Sequence, residues 1–247
     1  MAVQPSPGFD EAPSMVSAGE NELVRQLQRA KELHQERADD LTLASALDRL
    51  SDWQARRLKR TYIDLARDPR YAAAITFFGS DLYGAGDFSR RDADLARVVP
   101  LMGRMLPEGV LATIAGAMEL SALSQELDRA LLQRLDATAP LSVPAYCDAY
   151  RAADDRPSRA RQIALIVSSG RALDRYVGKA LVRSALMAMR SPARIAGFGA
   201  LQDFLERGFA AFRGMRGADE FLAIIEARET ALMNAILAGD RAPFPEP

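Results

Sequence analysis

Histidine, cysteine and tryptophan each occur once in the 247 residues, lysine occurs three times, and aromatic residues make up only 7% of the chain. Each scarcity removes a class of chemistry. A lone Cys147 forms no intramolecular disulfide, which suits a reducing compartment. One His and one Cys cannot assemble a Cys/His zinc site in one subunit, nor the two Glu-x-x-His pairs of a ferritin-like di-iron bundle. Ser-His-Asp or Cys-His catalysis would have to recruit His34, which lies in the charged run Lys31 to Arg37 and is expected on a solvated helix face. The glycine-rich loops that cradle phosphates are also missing. Asp154-Asp155 lacks the third acid of a diphosphate–magnesium site and serves better as a helix cap. No catalytic residue, metal site or cofactor is therefore expected.

Charge of one sign is lacking too. The 32 basic residues nearly balance 33 acidic ones, for a net charge of −1, so nucleic acid is an unlikely partner. Nothing approaches the roughly 20 consecutive apolar residues of a membrane span. The first residues have neither the basic start nor the apolar run of a signal peptide, and a cytoplasmic protein is expected.

What the chain does have is Ala, Leu, Arg, Glu and Asp, with apolar residues recurring every three or four positions and no β-branched runs between hairpin turns. This predicts an all-α fold, a multi-helix bundle of about nine helices. Leu23, Leu27, Ala30 and Leu33 mark a first stripe. Asp68-Pro69 and Ser191-Pro192 each read as a cap followed by proline at the first helical position. Ser89-Arg90-Arg91-Asp92 resembles a capping box. Pro100 is expected to kink its helix and Pro107 to restart it, opening a long central helix to about Asp136. Further starts fall at Ser142 and Asp155, and one long helix is expected from there through Met189. Prolines and polar residues predict disorder in residues 1–19 and 239–247, flanking a single helical domain over 20–238.

The stretch from Tyr71 through Phe77-Phe78-Gly79-Ser80-Asp81-Leu82-Tyr83 to Gly84 resembles the signature of the proteobacterial FFLEELY-motif proteins. Arg57 to Tyr62, Asp87 to Asp92 and Leu201 to Phe209 are similar to the same family, so the resemblance spans most of residues 45–238. Gly79-Ser80-Asp81 stands where the motif has Leu-Glu-Glu, and Asp81 keeps the second carboxylate. The resemblance implies helical architecture and bacterial origin, and brings no reaction, ligand or partner with it.

Two features stand out as candidate sites. Glu119 is the only charged residue between Gly109 and Gln125, in the middle of the central helix, where a buried carboxylate needs a partner or a raised pKa. A partner from a neighbouring helix is the plainer reading, a pocket-lining acid the functional one. Aromatic residues crowd between Trp53 and Phe88, with arginines directly after. Tyr62, Asp81, Tyr83, Arg90 and Arg91, with Glu119, could line a pocket with a basic rim for a small ligand; the alternative is a helix–helix core with its arginines paired to Asp87, Asp92 and Asp94. Arg228 falls on an apolar face and calls for an acid. The leading expectation is a non-enzymatic binding or interaction protein with an unknown protein partner or a second copy of itself, a homodimer. The alternative is a small-molecule binder or enzyme built around Glu119 and the Tyr62–Arg97 segment.

Overall fold

The computed structural model describes residues 17–82, 88–136 and 139–247. Among these there are eleven α-helices, one π-helical turn and no strand. In chain order they are α1 (Ala18–Asp39), α2 (Leu41–Thr61), α3 (Ile63–Arg67), α4 (Ala72–Phe77), the π turn (Phe78–Leu82), α5 (Ser89–Met105) and α6 (Glu108–Leu132). Then come α7 (Val143–Ala153), α8 (Arg156–Val177), α9 (Ala180–Ile195), α10 (Gly199–Met215) and α11 (Asp219–Leu237).

Side-chain oxygens fix several starts. Ser17 caps α1, Asp40 accepts from Thr42 and Leu43 at the head of α2, Ser142 accepts from Ala145, and Asp155 accepts from Ser158 at 3.0 Å. The last two are the caps expected from the sequence. Others differ. Asp68 turns its carboxylate to the amide of Arg70, making a turn before α4 rather than capping it. Ser89 is not a cap either: α5 follows Phe88 without a capping side chain, because Asp92 is drawn to His34 and Arg91. Pro192 sits inside the last turn of α9, and the chain reverses instead at Gly197, whose φ of 83° suits a residue without Cβ. Gly178 divides the expected long helix into α8 and α9. Pro100 lies within a continuous α5, and Pro107 restarts the chain as α6.

The 25-residue α6 is the axis, about 37 Å long. Its buried residues Leu111, Ala115, Met118, Ala122 and Leu123 face α1 on one side and α8 on another. Three large apolar clusters surround it, besides a small one of Leu123, Leu127 and Leu165. The first joins Tyr62, Phe78, Phe212, Phe221 and Leu222. The second joins Leu50, Trp53, Leu131, Tyr146, Cys147 and Phe244, and the third joins Leu23, Leu27, Leu95 and Leu111. Close approach of α4 and α10 depends on Gly208, where an added Cβ would meet the Phe77 ring at 2.9 Å.

The tail after Gly239 forms no helix, as its prolines require, and it packs against the helical domain. Phe244 is buried against Trp53 and Tyr146, Arg241 pairs with both carboxylate oxygens of Asp148, and Glu246 accepts from the amide of Val143 at 2.9 Å. One ring finding a cleft outweighs the ordering cost that composition alone suggests.

Candidate functional site

The two features singled out in the sequence do not meet. Glu119 lies one position past the buried stripe of α6 and reaches outward to Arg161 of α8, whose Nε and Nη2 donate to it at 2.8 and 2.6 Å. Its side chain is 21% exposed and that of Arg161 56%, so this is a surface pair, and the hydrogen bond to Glu119 raises the pKa of Arg161. We expect Glu119→Gln to cost about 1 kcal/mol or less in chemical denaturation, as exposed pairs do.

Tyr62 is fully buried, and its hydroxyl donates to Glu229 at 2.7 Å. Arg91 lies elsewhere: its guanidinium stacks over Phe88 and Phe204, donates to Asp92 at 2.8 Å and reaches Ser121. Arg90 is exposed. The side chain of Asp81, and Tyr83 entirely, lie outside the described residues. Within α5, Arg91 pairs with Asp92 and Arg97 with Asp94, two of the acids named for them, while Asp87 lies outside the described residues. The expected pocket on the Tyr62–Arg97 segment is thus not assembled by its described members. His34 is not on a solvated face either. The start of α5 covers it, leaving its side chain 13% exposed with Nε2 2.9 Å from Asp92 Oδ2. Arg228 finds its acid, donating to both oxygens of Asp64.

Among the described residues, no group of three or more His, Cys, Asp or Glu could hold a metal ion, and no helix is long and apolar enough to cross a membrane. Burial pushes the Cys147 thiol up to about 11, which leaves it protonated and inert.

A cavity of about 50 Å³ does bring charged groups together in the interior, where α2, α6, α7, α8, α11 and the tail converge. Its polar wall holds Arg57 and Gln54 from α2, Asp128 from α6, Arg159 and Gln162 from α8, and Glu229 from α11. Ile163, Ile166, Leu232, Met233 and Ile236 form the apolar wall, and Ser124 with the rings of Tyr146, Tyr150 and Phe244 completes the lining. Each charged group is there because its helix puts it on the buried side. Arg159 precedes Ile163 and Ile166 at four- and three-residue spacing, and Glu229 follows Ile225 by four.

The charges are unevenly served. Arg57, whose side chain is 11% exposed, makes a loose pair with Glu229 at 3.3 and 3.5 Å and lies over the Phe244 ring. Burial disfavours its charge, but Glu229 and the nearby tyrosines outweigh burial and hold its pKa above the ordinary arginine value. Arg159 is 7% exposed and stacks on Tyr150 at 4.3 Å. Its Nη2 and the Nε of Arg57 are buried without a hydrogen-bond partner. Asp128 accepts from Gln54 at 2.8 Å, yet burial raises its pKa and favours the neutral acid. Burial likewise raises the pKa of Tyr146 and Tyr150, keeping both as hydroxyls. Glu229 pairs with Arg57, while Arg159 forms no ion pair among the described residues and is the least served charge of the lining.

Neither Arg57's burial nor Arg159's place in the cavity was singled out in the sequence. The available signal was charged residues standing in register with apolar stripes: Arg57 after Leu50 and Trp53, and Arg159 before Ile163.

No curated protein and no solved structure matches the chain. A family match covers residues 33–243 and so takes in every helix that lines the cavity. The chain belongs to the family described as Domain of unknown function (DUF8198).

Proposed function

We propose that this protein is a small-molecule binder whose ligand occupies the cavity between α2, α6, α7, α8 and α11. The observation that carries the reading is Arg159: a guanidinium 7% exposed, lining a cavity, with a buried nitrogen that nothing in the protein satisfies. Burying a charge without full hydrogen bonding is costly, and sites that bind ligands are where such a cost is offset. The lining, apolar on one side with a few convergent polar groups on the other, has the make-up of small-molecule sites. The reading replaces the pocket expected around Glu119 with one on other residues and keeps the binding class.

A second reading, self-association, rests on α9. Leu181, Ala185, Ala188, Pro192 and Ile195 follow one another at spacings of four and three, and Leu181 and Ile195 are 81% and 85% exposed. Arg190 and Arg194 turn away from this seam to Glu206 and Asp203 of α10. An uncharged seam with small residues at its centre and large ones at its ends is self-complementary about a two-fold axis, so its occupant is a second copy of this chain. The similarity to FFLEELY-motif proteins supports a bacterial source, and a cytoplasmic setting fits both readings.

Native mass spectrometry of the protein purified without denaturation tests both. A reproducible added mass that is lost in Arg159→Met supports the cavity. A dimer that becomes monomeric in Leu181→Glu supports the seam. A bare monomer would overturn both.

A further inference from the structure

We infer that the cavity selects a small monocarboxylate, or the carboxylate end of a small molecule, an assignment that rests on the cavity being the ligand site. Three features of the lining converge on this class. The first is charge. Glu229 already faces Arg57, whereas Arg159 forms no ion pair among the described residues and keeps a buried nitrogen unserved. One negative charge balances it, whereas a dianion would bring excess negative charge beside Glu229 into a poorly screened interior.

The second is hydrogen-bond geometry. The unserved donors are guanidinium N–H groups on two different helices, the Nε of Arg57 and the Nη2 of Arg159. Arginine forks match the planar, two-oxygen face of a carboxylate. Gln162 stands beside them with its amide donating to Ser124 at 2.8 Å, and Gln54 is committed to Asp128. Each of those amides already spends an N–H in the protein, whereas the two arginine nitrogens have no partner there.

The third is size and polarity. A cavity of about 50 Å³ holds roughly four water-sized groups. Two carboxylate oxygens and a short carbon chain fill that space, with the chain against Ile163, Ile166 and Leu232. A phosphate would put oxygens against those same side chains, where no donor meets them. Tyr146 and Tyr150, kept protonated by burial, face the site without adding charge.

Isothermal titration with sodium propionate, its neutral isostere propionamide, and inorganic phosphate tests the assignment at pH 7 in low-chloride buffer. We expect propionate to bind and propionamide and phosphate to bind at least 10-fold more weakly. Arg159→Met should weaken propionate at least 30-fold while the apo protein melts no lower than wild type, because the substitution removes a buried charge lacking full partners. Arg159→Lys, which keeps the charge without the fork, should bind propionate about 10-fold more weakly and serves if the Met variant misfolds. Equal binding of propionamide would overturn the charge argument, and tighter binding of phosphate would overturn the carboxylate. If none of the three binds while the native protein carries an Arg159-dependent adduct, the assignment of class falls and the cavity remains the ligand site. If there is no adduct either, both fall.

Discussion

Replacing Glu229 with Leu should destabilise the protein by about 3 kcal/mol, measured by urea unfolding at pH 7. Glu229 is the only acid against Arg57 among the described residues, at 3.3 and 3.5 Å, and it accepts the Tyr62 hydroxyl at 2.7 Å. Removing one member of a buried pair leaves the other charge uncompensated, a loss of roughly 3–5 kcal/mol. The length of the two arginine contacts places this pair at the lower end. Two further variants separate the causes. Tyr62→Phe removes one hydrogen bond and should cost about 1 kcal/mol. Arg57→Leu combined with Glu229→Leu removes both charges and should recover most of the single-variant loss, since an apolar pair of similar volume is often neutral or better. A Glu229→Leu protein within about 0.5 kcal/mol of wild type would show that water, not the pair, satisfies Arg57.

The second large effect is expected at Phe221. Its side chain is fully buried in the first cluster, with ring centroids 5.6 Å from Tyr71 and 5.8 Å from Phe78. Truncation to Ala removes apolar contact and leaves a void beside the Tyr71 and Phe78 rings that close-packed neighbours can only partly fill. The expected cost is about 4 kcal/mol, or roughly a 10 °C fall in Tm for a chain of this size. Collapse of the Tyr71 and Phe78 rings into the void is what would limit the loss. A loss under about 1.5 kcal/mol would mean that this cluster repacks like a fluid rather than a fixed set of rings.

The helices were legible because three- and four-residue spacing reports directly on which side of a helix is buried. The caps at Ser142 and Asp155 were legible for the same local reason: a side-chain oxygen meets an amide three residues on. Asp68, Ser89 and Ser191 carry the same local signals and were claimed by other contacts, or overruled where α9 runs through Pro192 toward Gly197. The site was harder. Isolation in sequence drew attention to Glu119, but isolation does not say which way a side chain points. One residue beyond Met118, a rotation of about 100° carries it off the buried stripe and out to Arg161. Arg159 and Glu229 sit among other charges and looked ordinary, yet they occupy positions that continue apolar stripes. The aromatic segment misled differently. Trp53 joins the second cluster while Tyr62, Tyr71 and Phe78 join the first, because α2 is long enough to pass from one to the other. Nothing in the spacing of aromatic residues specifies that parting.

The anchored tail has a kinetic consequence. Phe244 is the last residue of the second cluster to be synthesised, and its partners Trp53 and Tyr146 come from α2 and α7. Contacts between remote parts of a chain carry a loop-closure cost before they return any stability, so they consolidate after local helix pairs. The tail contacts should thus form late in folding, after neighbouring pairs such as α9–α10. The amide of Val143, bonded to Glu246, should be among the last to gain protection in pulsed hydrogen exchange.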